Sequence, residues 1–142
     1  MRFWDSSAVV PLVVEEPTSV ACRALLRRDG VQVVWWSTRI EVLSALWRQH
    51  RLGRLDRQAL RAAETRLHKL AARWAEVDAA PPVRQAAERL LRVHPLRAAD
   101  ALQLAAALVT AEQAPARLPF VSLDRALGEA AEAEGFSVLA PE

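Results

Sequence analysis

The sequence predicts an α/β fold, a three-layer α/β/α sandwich around a central parallel sheet. Short β-branched or aromatic segments alternate with longer segments in which apolar residues recur every three or four positions. This alternation favours right-handed crossovers between parallel strands, with helices covering both faces of the sheet. The 142 residues, of which 52% are hydrophobic, are enough for one ordinary domain with a packed core. Residues 1–142 are therefore assigned to a single domain.

The first half of the chain is predicted to contain two strands and three helical segments. Val31 to Trp35 is the clearest strand, because it is rich in β-branched and aromatic residues. Ile40, Leu43 and Leu46 recur at three-residue steps, which places them on one helix face. The predicted elements are a strand at 2–4, a helix from 6 disturbed near Pro11 and Pro17 and resumed over 18–28 until Gly30 stops it, a strand at 31–35, and helices at 38–52 and 56–73.

The second half alternates in the same way. Pro81 and Pro82 suit the first turn of a helix, and His94-Pro95 interrupts the chain before the next one. The segment from Arg97 to Ala111 is strongly apolar and is predicted to be the most buried helix. The predicted elements are a weak strand at 74–77, helices from 81 and over 97–111, a strand at 119–122, a helix at 124–134 and a last strand at 136–139.

Four acidic residues occupy comparable places in this pattern. Each follows a predicted strand or lies in the opening turn of a predicted helix. The carboxyl ends of parallel strands share one edge of the sheet, where ligand sites of such folds lie, so we expect the four to converge. Clustered carboxylates repel one another without a cation, and their oxygens suit Mg²⁺ or Mn²⁺. The four residues are Asp5, Glu41, Asp100 and Asp124.

Each of these acids also has a purely structural explanation. Asp5 and Asp124 could act as helix N-caps. Glu41 could close a capping box that begins at Thr38, and Asp100 could interact with a helix dipole. Asp100, however, enters a buried-looking helix, where a carboxylate without a partner would be costly. The common position of the four acids at one edge favours a shared site but does not decide it, because helix N-caps would fall at the same edge.

The overall charge and the single cysteine restrict the possible partners. The net charge of +2 permits an anionic partner without requiring one. Cys22 is the only cysteine, which excludes an intramolecular disulfide and a cysteine-based zinc site, and its apolar neighbours predict a core position. No segment has the pattern of a signal peptide or is long enough to span a bilayer. We therefore expect a cytoplasmic protein without a membrane partner.

The acidic residues and their neighbours resemble four motifs of one family. The first is Trp4-Asp5-Ser6-Ser7, the second Ser37-Thr38-Arg39-Ile40-Glu41, and the fourth Phe120-Val121-Ser122-Leu123-Asp124. The third and most specific is Leu96-Arg97-Ala98-Ala99-Asp100-Ala101-Leu102-Gln103-Leu104. In this order and spacing, the whole chain resembles a PIN-domain ribonuclease, and more closely a VapC-type toxin of a bacterial toxin–antitoxin pair.

This resemblance implies a function and a set of site residues. It implies an endoribonuclease that depends on Mg²⁺ or Mn²⁺, with Asp5, Glu41, Asp100 and Asp124 as catalytic residues. Asp5, Asp100 and Asp124 would be the metal ligands, and Ser6 and Ser122 the supporting hydroxyls. The implied partners are an RNA substrate, a small antitoxin protein and a second copy of the chain in a homodimer.

Two alternatives to catalysis remain open at this point. One is a non-catalytic PIN-like binding module that keeps the fold and is regulated by a partner protein; the presence of all four acids argues against it. The other is a receiver-like phosphoacceptor, which also gathers acids at strand ends. A receiver normally needs a lysine near the pocket, and Lys69, the only lysine, falls in the middle of an outer helix.

Arginine and tryptophan side chains also have two interpretations. The arginines of the predicted helical hairpin, Arg48 and Arg51 among them, form either a solvated face or a surface that tracks RNA phosphates. Arg97, one turn before Asp100, either contacts RNA phosphate or pairs with an acid. Trp35, Trp36 and Trp47 are predicted to be core residues, although adjacent strand residues point to opposite sides and one of the first two could be exposed.

Overall fold

The computed structural model describes residues 1–28 and 30–142, and in this part of the chain it contains a five-stranded sheet in which every pairing is parallel. The strand order is β3-β2-β1-β4-β5, so β1 is central. The first half of the chain therefore builds one side of the sheet and the last strands build the other. The strands are β1 (Arg2–Trp4), β2 (Gln32–Trp35), β3 (Ala75–Val77), β4 (Phe120–Val121) and β5 (Val138–Leu139).

Seven α-helices in the described ranges connect and cover these strands. The helix pairs α3 with α4 and α5 with α6 follow one another through short turns. No helix in the described ranges is both long enough and apolar enough to cross a membrane. The helices are α1 (Ser6–Val13), α2 (Ser19–Arg27), α3 (Thr38–Arg51), α4 (Arg57–Ala71), α5 (Pro81–Val93), α6 (Ala98–Thr110) and α7 (Arg125–Ala133).

Both faces of the sheet are buried, as a three-layer sandwich requires. Neighbouring residues of β1 enter different cores: Phe3 packs with α5, α6 and α7, while Trp4 packs with α1, α3 and α4. In β4, Phe120 joins the first core and Val121 the second. This alternation follows from the two-residue period of a strand. The predicted fold class and the predicted buried helix α6 are both confirmed.

Two details of the predicted helices differ from the structure. Pro11 lies inside α1, which continues to Val13. Because proline has no N–H, it removes one backbone hydrogen bond from that helix. The interruption falls only at the segment around Pro17. The second helix spans Ser19–Arg27 with Arg28 as its C-cap, one residue shorter at each end than the predicted 18–28. Asp29, which follows, lies outside the described residues.

The three tryptophans do not share one environment. Trp35 is only 4% exposed, as predicted, and Cys22 is fully buried. Trp36 is 55% exposed because it lies beyond the end of β2, in the turn before α3. Trp47 is 42% exposed and its indole N–H donates to Glu64 at 3.0 Å, which satisfies the polar end at the surface. The prediction of a core position was wrong for Trp47, whereas the exposure of Trp36 agrees with the alternative that one of the adjacent pair is exposed.

Candidate functional site

Asp5 lies at the centre of the carboxyl edge of the sheet. It directly follows the central strand β1, and its backbone N–H donates to the Val121 carbonyl at 3.0 Å. Its side chain occupies the N-cap position of α1 but makes no capping hydrogen bond, and the residue is 3% exposed. The Ser7 backbone is nonetheless close enough to lower its pKa, so the N-cap position explains part of its surroundings but not its burial. Burial raises the pKa of Asp5, which means that its charged form is costly here.

Hydroxyl groups partly compensate the buried charge of Asp5. Ser122 Oγ donates to Asp5 Oδ2 at 2.9 Å, and Ser7 Oγ donates to the same oxygen over a shorter distance. Ser6 was predicted, together with Ser122, to support the site. Its Oγ lies 3.4 Å from Asp5 Oδ1, a longer hydrogen bond than the one from Ser122. Ser7 Oγ also accepts the Leu123 N–H at 2.9 Å, which ties the start of α1 to the end of β4. Ser7 was not among the predicted supporting hydroxyls.

Asp124 combines a structural contact with its place beside Asp5. Its Oδ1 accepts the Leu127 N–H at 2.9 Å and so caps α7, as the structural explanation predicted. Its own N–H donates to Ser122 Oγ at 3.1 Å, so the same serine contacts both acids. Capping uses one oxygen of the carboxylate and leaves acceptor capacity on the other.

Glu41 lies in the first helical turns after β2 but does not form the predicted capping box. The helix begins at Thr38 with Ser37 as its N-cap, which moves Glu41 one position beyond the box register. Glu41 Oε2 accepts hydrogen bonds from Ser37 Oγ at 3.0 Å and from Gln103 Nε2 at 2.7 Å. Gln103 belongs to α6, so Glu41 is connected to the helix that carries Asp100.

Asp100 is half-buried in the first turn of α6. Burial raises its pKa most, and the Asp124 carboxylate raises it further. The backbone and the positive charge of Arg97 act in the opposite direction. Arg97 itself is exposed. Its charge thus acts on an acid of the site, while its side chain remains accessible to a ligand.

The four acids influence one another electrostatically. They are called here the carboxylate ring: Asp5, Glu41, Asp100 and Asp124. Burial is the main reason why the pKa values of Asp5, Glu41 and Asp100 are raised. The charge of Asp124 further raises the pKa values of Asp5 and Asp100. The charges of Asp5 and Asp100 further raise the pKa of Glu41. Four acids from distant segments therefore lie within electrostatic reach of one another.

The ring fits a divalent cation by charge and donor chemistry. Its repulsion would be relieved by a positive ion, and its donors are the carboxylate oxygens that Mg²⁺ and Mn²⁺ prefer. Among residues 1–28 and 30–142, no three Asp, Glu, His or Cys side chains already form a group that could hold a metal ion. Mg²⁺ keeps several of its waters when it binds to proteins and needs few direct side-chain contacts.

The other predicted RNA-contacting residues lie farther from the ring. Arg48 and Arg51 are exposed on the last two turns of α3, about 10–15 Å along the helix axis from Glu41. A cavity of about 240 Å³ borders Ser122 and Asp124 at the edge of the ring. Arg97, in contrast, is the N-cap of the helix that carries Asp100, and its charge acts on that acid.

Comparison with known proteins agrees with this arrangement. A family model described as "PIN domain" matches residues 2–133. The chain belongs to the PIN-domain family. PIN domains are generally nucleases, and PIN nucleases generally use divalent metal ions. No curated protein matched the chain.

Solved structures with the same fold are similar over nearly the whole chain. A toxin–antitoxin complex from Klebsiella pneumoniae has a TM-score of 0.70 and 14% identity, and covers 100% of this chain and 98% of the other. FitAcB from Neisseria gonorrhoeae has a TM-score of 0.69 and 17% identity, covering 99% and 98%. PAE2754 from Pyrobaculum aerophilum has a TM-score of 0.65 and 22% identity, covering 91% and 83%. At these identities the similarity establishes the fold.

Proposed function

We propose that this protein is a metal-dependent endoribonuclease and the toxin of a toxin–antitoxin pair. The carboxylate ring carries the proposal, because it gathers four acids at the carboxyl edge of a parallel sheet, where ligands of such folds bind. Membership of a family of nucleases supports phosphodiester hydrolysis. The similar structure described as a toxin–antitoxin complex supports the assignment as a toxin.

The residues of the ring would divide the work of hydrolysis. Asp5, Asp100 and Asp124 would hold Mg²⁺ or Mn²⁺, which when bound activates water and relieves phosphate charge. Ser122, with Ser6, keeps the Asp5 carboxylate in place by donating hydrogen bonds to it. Glu41 would orient the attacking water by accepting one of its hydrogens.

Positive side chains outside the ring would hold the RNA backbone. Arg97 is exposed beside Asp100 and is suited to a phosphate next to the scissile bond. Arg48 and Arg51 would contact phosphates farther along the strand. These contacts would be independent of base identity, because they involve only the backbone.

The proposed partners follow from the exposed surfaces of the fold. A small antitoxin would cover the acidic edge and bring a basic side chain among the acids, which would offset their repulsion. Apolar side chains on the first helices, such as Val20 and Ile40, are 67% and 64% exposed and would contribute to a homodimer interface.

Replacement of Asp100 by Asn tests the proposal. The variant keeps the shape of the side chain but removes its charge, so Mn²⁺-dependent cleavage of RNA should fall on the order of 100-fold or more, since a catalytic metal supplies several kcal/mol. EDTA should abolish cleavage by the unsubstituted protein. The readout is the rate of appearance of cleaved ends on a defined RNA.

The matched control is Asp56→Asn. Asp56 caps α4 away from the ring, and Asn caps helices as well as Asp does, so this variant should cleave at the unsubstituted rate. Full activity of a folded Asp100→Asn protein, or cleavage that persists in EDTA, would contradict the proposal. Metal binding without any RNA cleavage would favour a binding module instead.

A further inference from the structure

Gln103 connects the two helices that carry Glu41 and Asp100. It lies one turn after Asp100 on the same face of α6 and is 1% exposed. Its amide nitrogen donates to Glu41 Oε2 at 2.7 Å and to Thr38 Oγ1 at 3.1 Å. Both hydrogens of the amide nitrogen are thereby used. The side chain joins α6 to the start of α3 underneath the carboxylate ring.

An amide at this position is unfavourable for packing alone. Gln103 is followed by five fully or nearly fully buried apolar residues, 104–108. Its carbonyl oxygen Oε1 is buried and has no hydrogen-bond partner among residues 1–28 and 30–142. Burying an unpaired acceptor costs stability, and a hydrocarbon side chain of similar size would avoid that cost. The advantage of a glutamine over a hydrocarbon side chain here therefore lies in the hydrogen bonds that its amide nitrogen donates to Glu41 and Thr38.

The two donors on Glu41 act on one oxygen only. Ser37 Oγ and Gln103 Nε2 both reach Oε2, and neither bond occupies Oε1. A carboxylate held in this way cannot rotate freely, so its second oxygen keeps a fixed direction. A lysine or arginine would also hold Glu41, but its charge would compete with a cation for the acids. A glutamine donates without adding positive charge.

We propose that Gln103 is a positioning residue that orients Glu41 within the carboxylate ring. This inference rests on the proposed function, since it assigns Glu41 a task in metal-dependent cleavage. It also explains why the polar contact runs between α3 and α6: the bond fixes the spacing between Glu41 and Asp100, which come from segments far apart in the chain. Thr38, which is fully buried, completes the support by accepting the second hydrogen.

Substitution of Gln103 by Met tests the inference, because Met has a similar length and shape but no N–H donor. Because Glu41 would accept a hydrogen from a water at the metal site, misplacing it should raise the Kd for Mn²⁺, measured by calorimetry, about tenfold, as for other groups just outside the metal ligands. In cleavage assays kcat should fall by about the same factor, while KM for RNA stays unchanged because Gln103 is buried. Gln103→Glu should cause a larger loss, since it places a second carboxylate against Glu41.

A double-mutant cycle separates positioning from a general structural effect. If Gln103 acts through Glu41, then Gln103→Met should have no further effect on Mn²⁺ affinity in a Glu41→Ala protein. Leu104→Ala is the matched control: it removes a fully buried neighbour that packs in the core of α5, α6 and α7. This variant should lower the melting temperature without changing the Kd for Mn²⁺.

The outcomes distinguish this inference from the proposed function. Additive effects of Gln103→Met and Glu41→Ala, or an unchanged Mn²⁺ affinity in both Gln103 variants, would overturn the positioning role while leaving the nuclease intact. Failure of the unsubstituted protein to bind Mn²⁺ would overturn the proposed function, and the inference with it.

Discussion

Helix α7 carries an acidic residue at each end, and the two have opposite electrostatic surroundings. Asp124 at its N-terminus belongs to the carboxylate ring, where burial and the charge of Asp124 raise the pKa values of Asp5 and Asp100. Glu134 at its C-terminus accepts two hydrogen bonds from Arg89 at 3.1 and 2.6 Å, and His94 Nε2 lies 2.7 Å from its Oε1. Hydrogen bonds from Arg89 lower the pKa of Glu134.

The contrast separates an acid that stabilises the fold from acids that cost stability. The group formed by Arg89, His94 and Glu134, called here the Glu134 cluster, places the Arg89 guanidinium and the His94 ring against the carboxylate and joins α5 to α7. The carboxylate ring has hydroxyl and amide donors, and its acids gain only partial relief from the exposed Arg97, which lowers the pKa of Asp100. Perturbed acids without a structural partner are typical of functional sites. Each of the following predictions tests whether the two regions differ in this way.

The largest effect is expected from Asp5→Asn in the presence of Mn²⁺. A metal at 100 times its Kd stabilises a protein by about 2.7 kcal/mol, and this gain should be almost absent in the variant because a central ligand is lost. Chemical denaturation with and without Mn²⁺ measures it. Equal stabilisation of both proteins would place the cation elsewhere.

The same variant should show the opposite behaviour without metal. The folded state holds the proton of Asp5 more tightly than the unfolded state does, because burial raises its pKa. Its contribution to stability is therefore complete below the unfolded pKa of about 4 and is lost as the pH rises through the folded pKa. Metal-free Asp5→Asn should thus exceed the unsubstituted protein in stability at pH 7, and the difference should shrink in acid.

Glu134→Gln is expected to change stability less than Asp5→Asn does, and to destabilise the protein where metal-free Asp5→Asn stabilises it. Loss of the carboxylate should lower the free energy of unfolding at pH 7 by roughly 1–2 kcal/mol, a moderate value because the Arg89 side chain is 47% exposed. The pKa of Glu134 is lowered in the folded state, so its stabilisation is present above the unfolded pKa and disappears as the pH falls through the folded one.

Urea denaturation across this pH range measures the effect of Glu134→Gln, with Glu129→Gln as its control. Glu129 forms an exposed pair with Arg125 on the same helix, and its loss should change stability by less than about 0.5 kcal/mol. RNA cleavage should be unaffected by either change. A Glu134→Gln protein as stable as the control would remove the distinction between the two ends of α7.

The smallest effect is expected from Arg97→Gln. An exposed ion pair contributes about 0.2–1 kcal/mol, so cleavage of RNA at low salt should fall about two- to fivefold. The dependence of log affinity on log salt should become shallower by roughly 0.7, the value for one phosphate contact on a single strand. Arg92→Gln, an exposed change on α5, is the control. An unchanged salt dependence would exclude a phosphate contact at Arg97.

The sequence predicted the layers and the carboxyl edge because both depend on local patterns. Alternation in segments such as Val33 to Trp35 fixes which residues enter each core, and strands that alternate with helices imply a parallel sheet. The order of the strands depends on pairings between distant segments, such as Phe3 with Phe120, and no local pattern encodes it. The exposure of Trp47 likewise depends on where the neighbouring helices lie.

The supporting contacts of the site were harder to predict than its acids. Ser6 and Ser7 stand together in the sequence, and the one that reaches Asp5 more closely is decided by the first turn of α1. Gln103 has the pattern of a residue in a buried helix, and its contact with Glu41 appears only when α3 and α6 pack. A polar residue within an otherwise apolar helix was the available signal, since burial of an amide requires a partner.

Anomalous X-ray scattering from a crystal grown with Mn²⁺ tests the central claim most directly, because it locates the ion without reference to activity. The account predicts a strong anomalous peak within the carboxylate ring, bordered by Asp5, Asp100 and Asp124, which is lost in Asp5→Asn crystals. A peak only at the Glu134 cluster, or no peak in the ring at millimolar Mn²⁺, would contradict it.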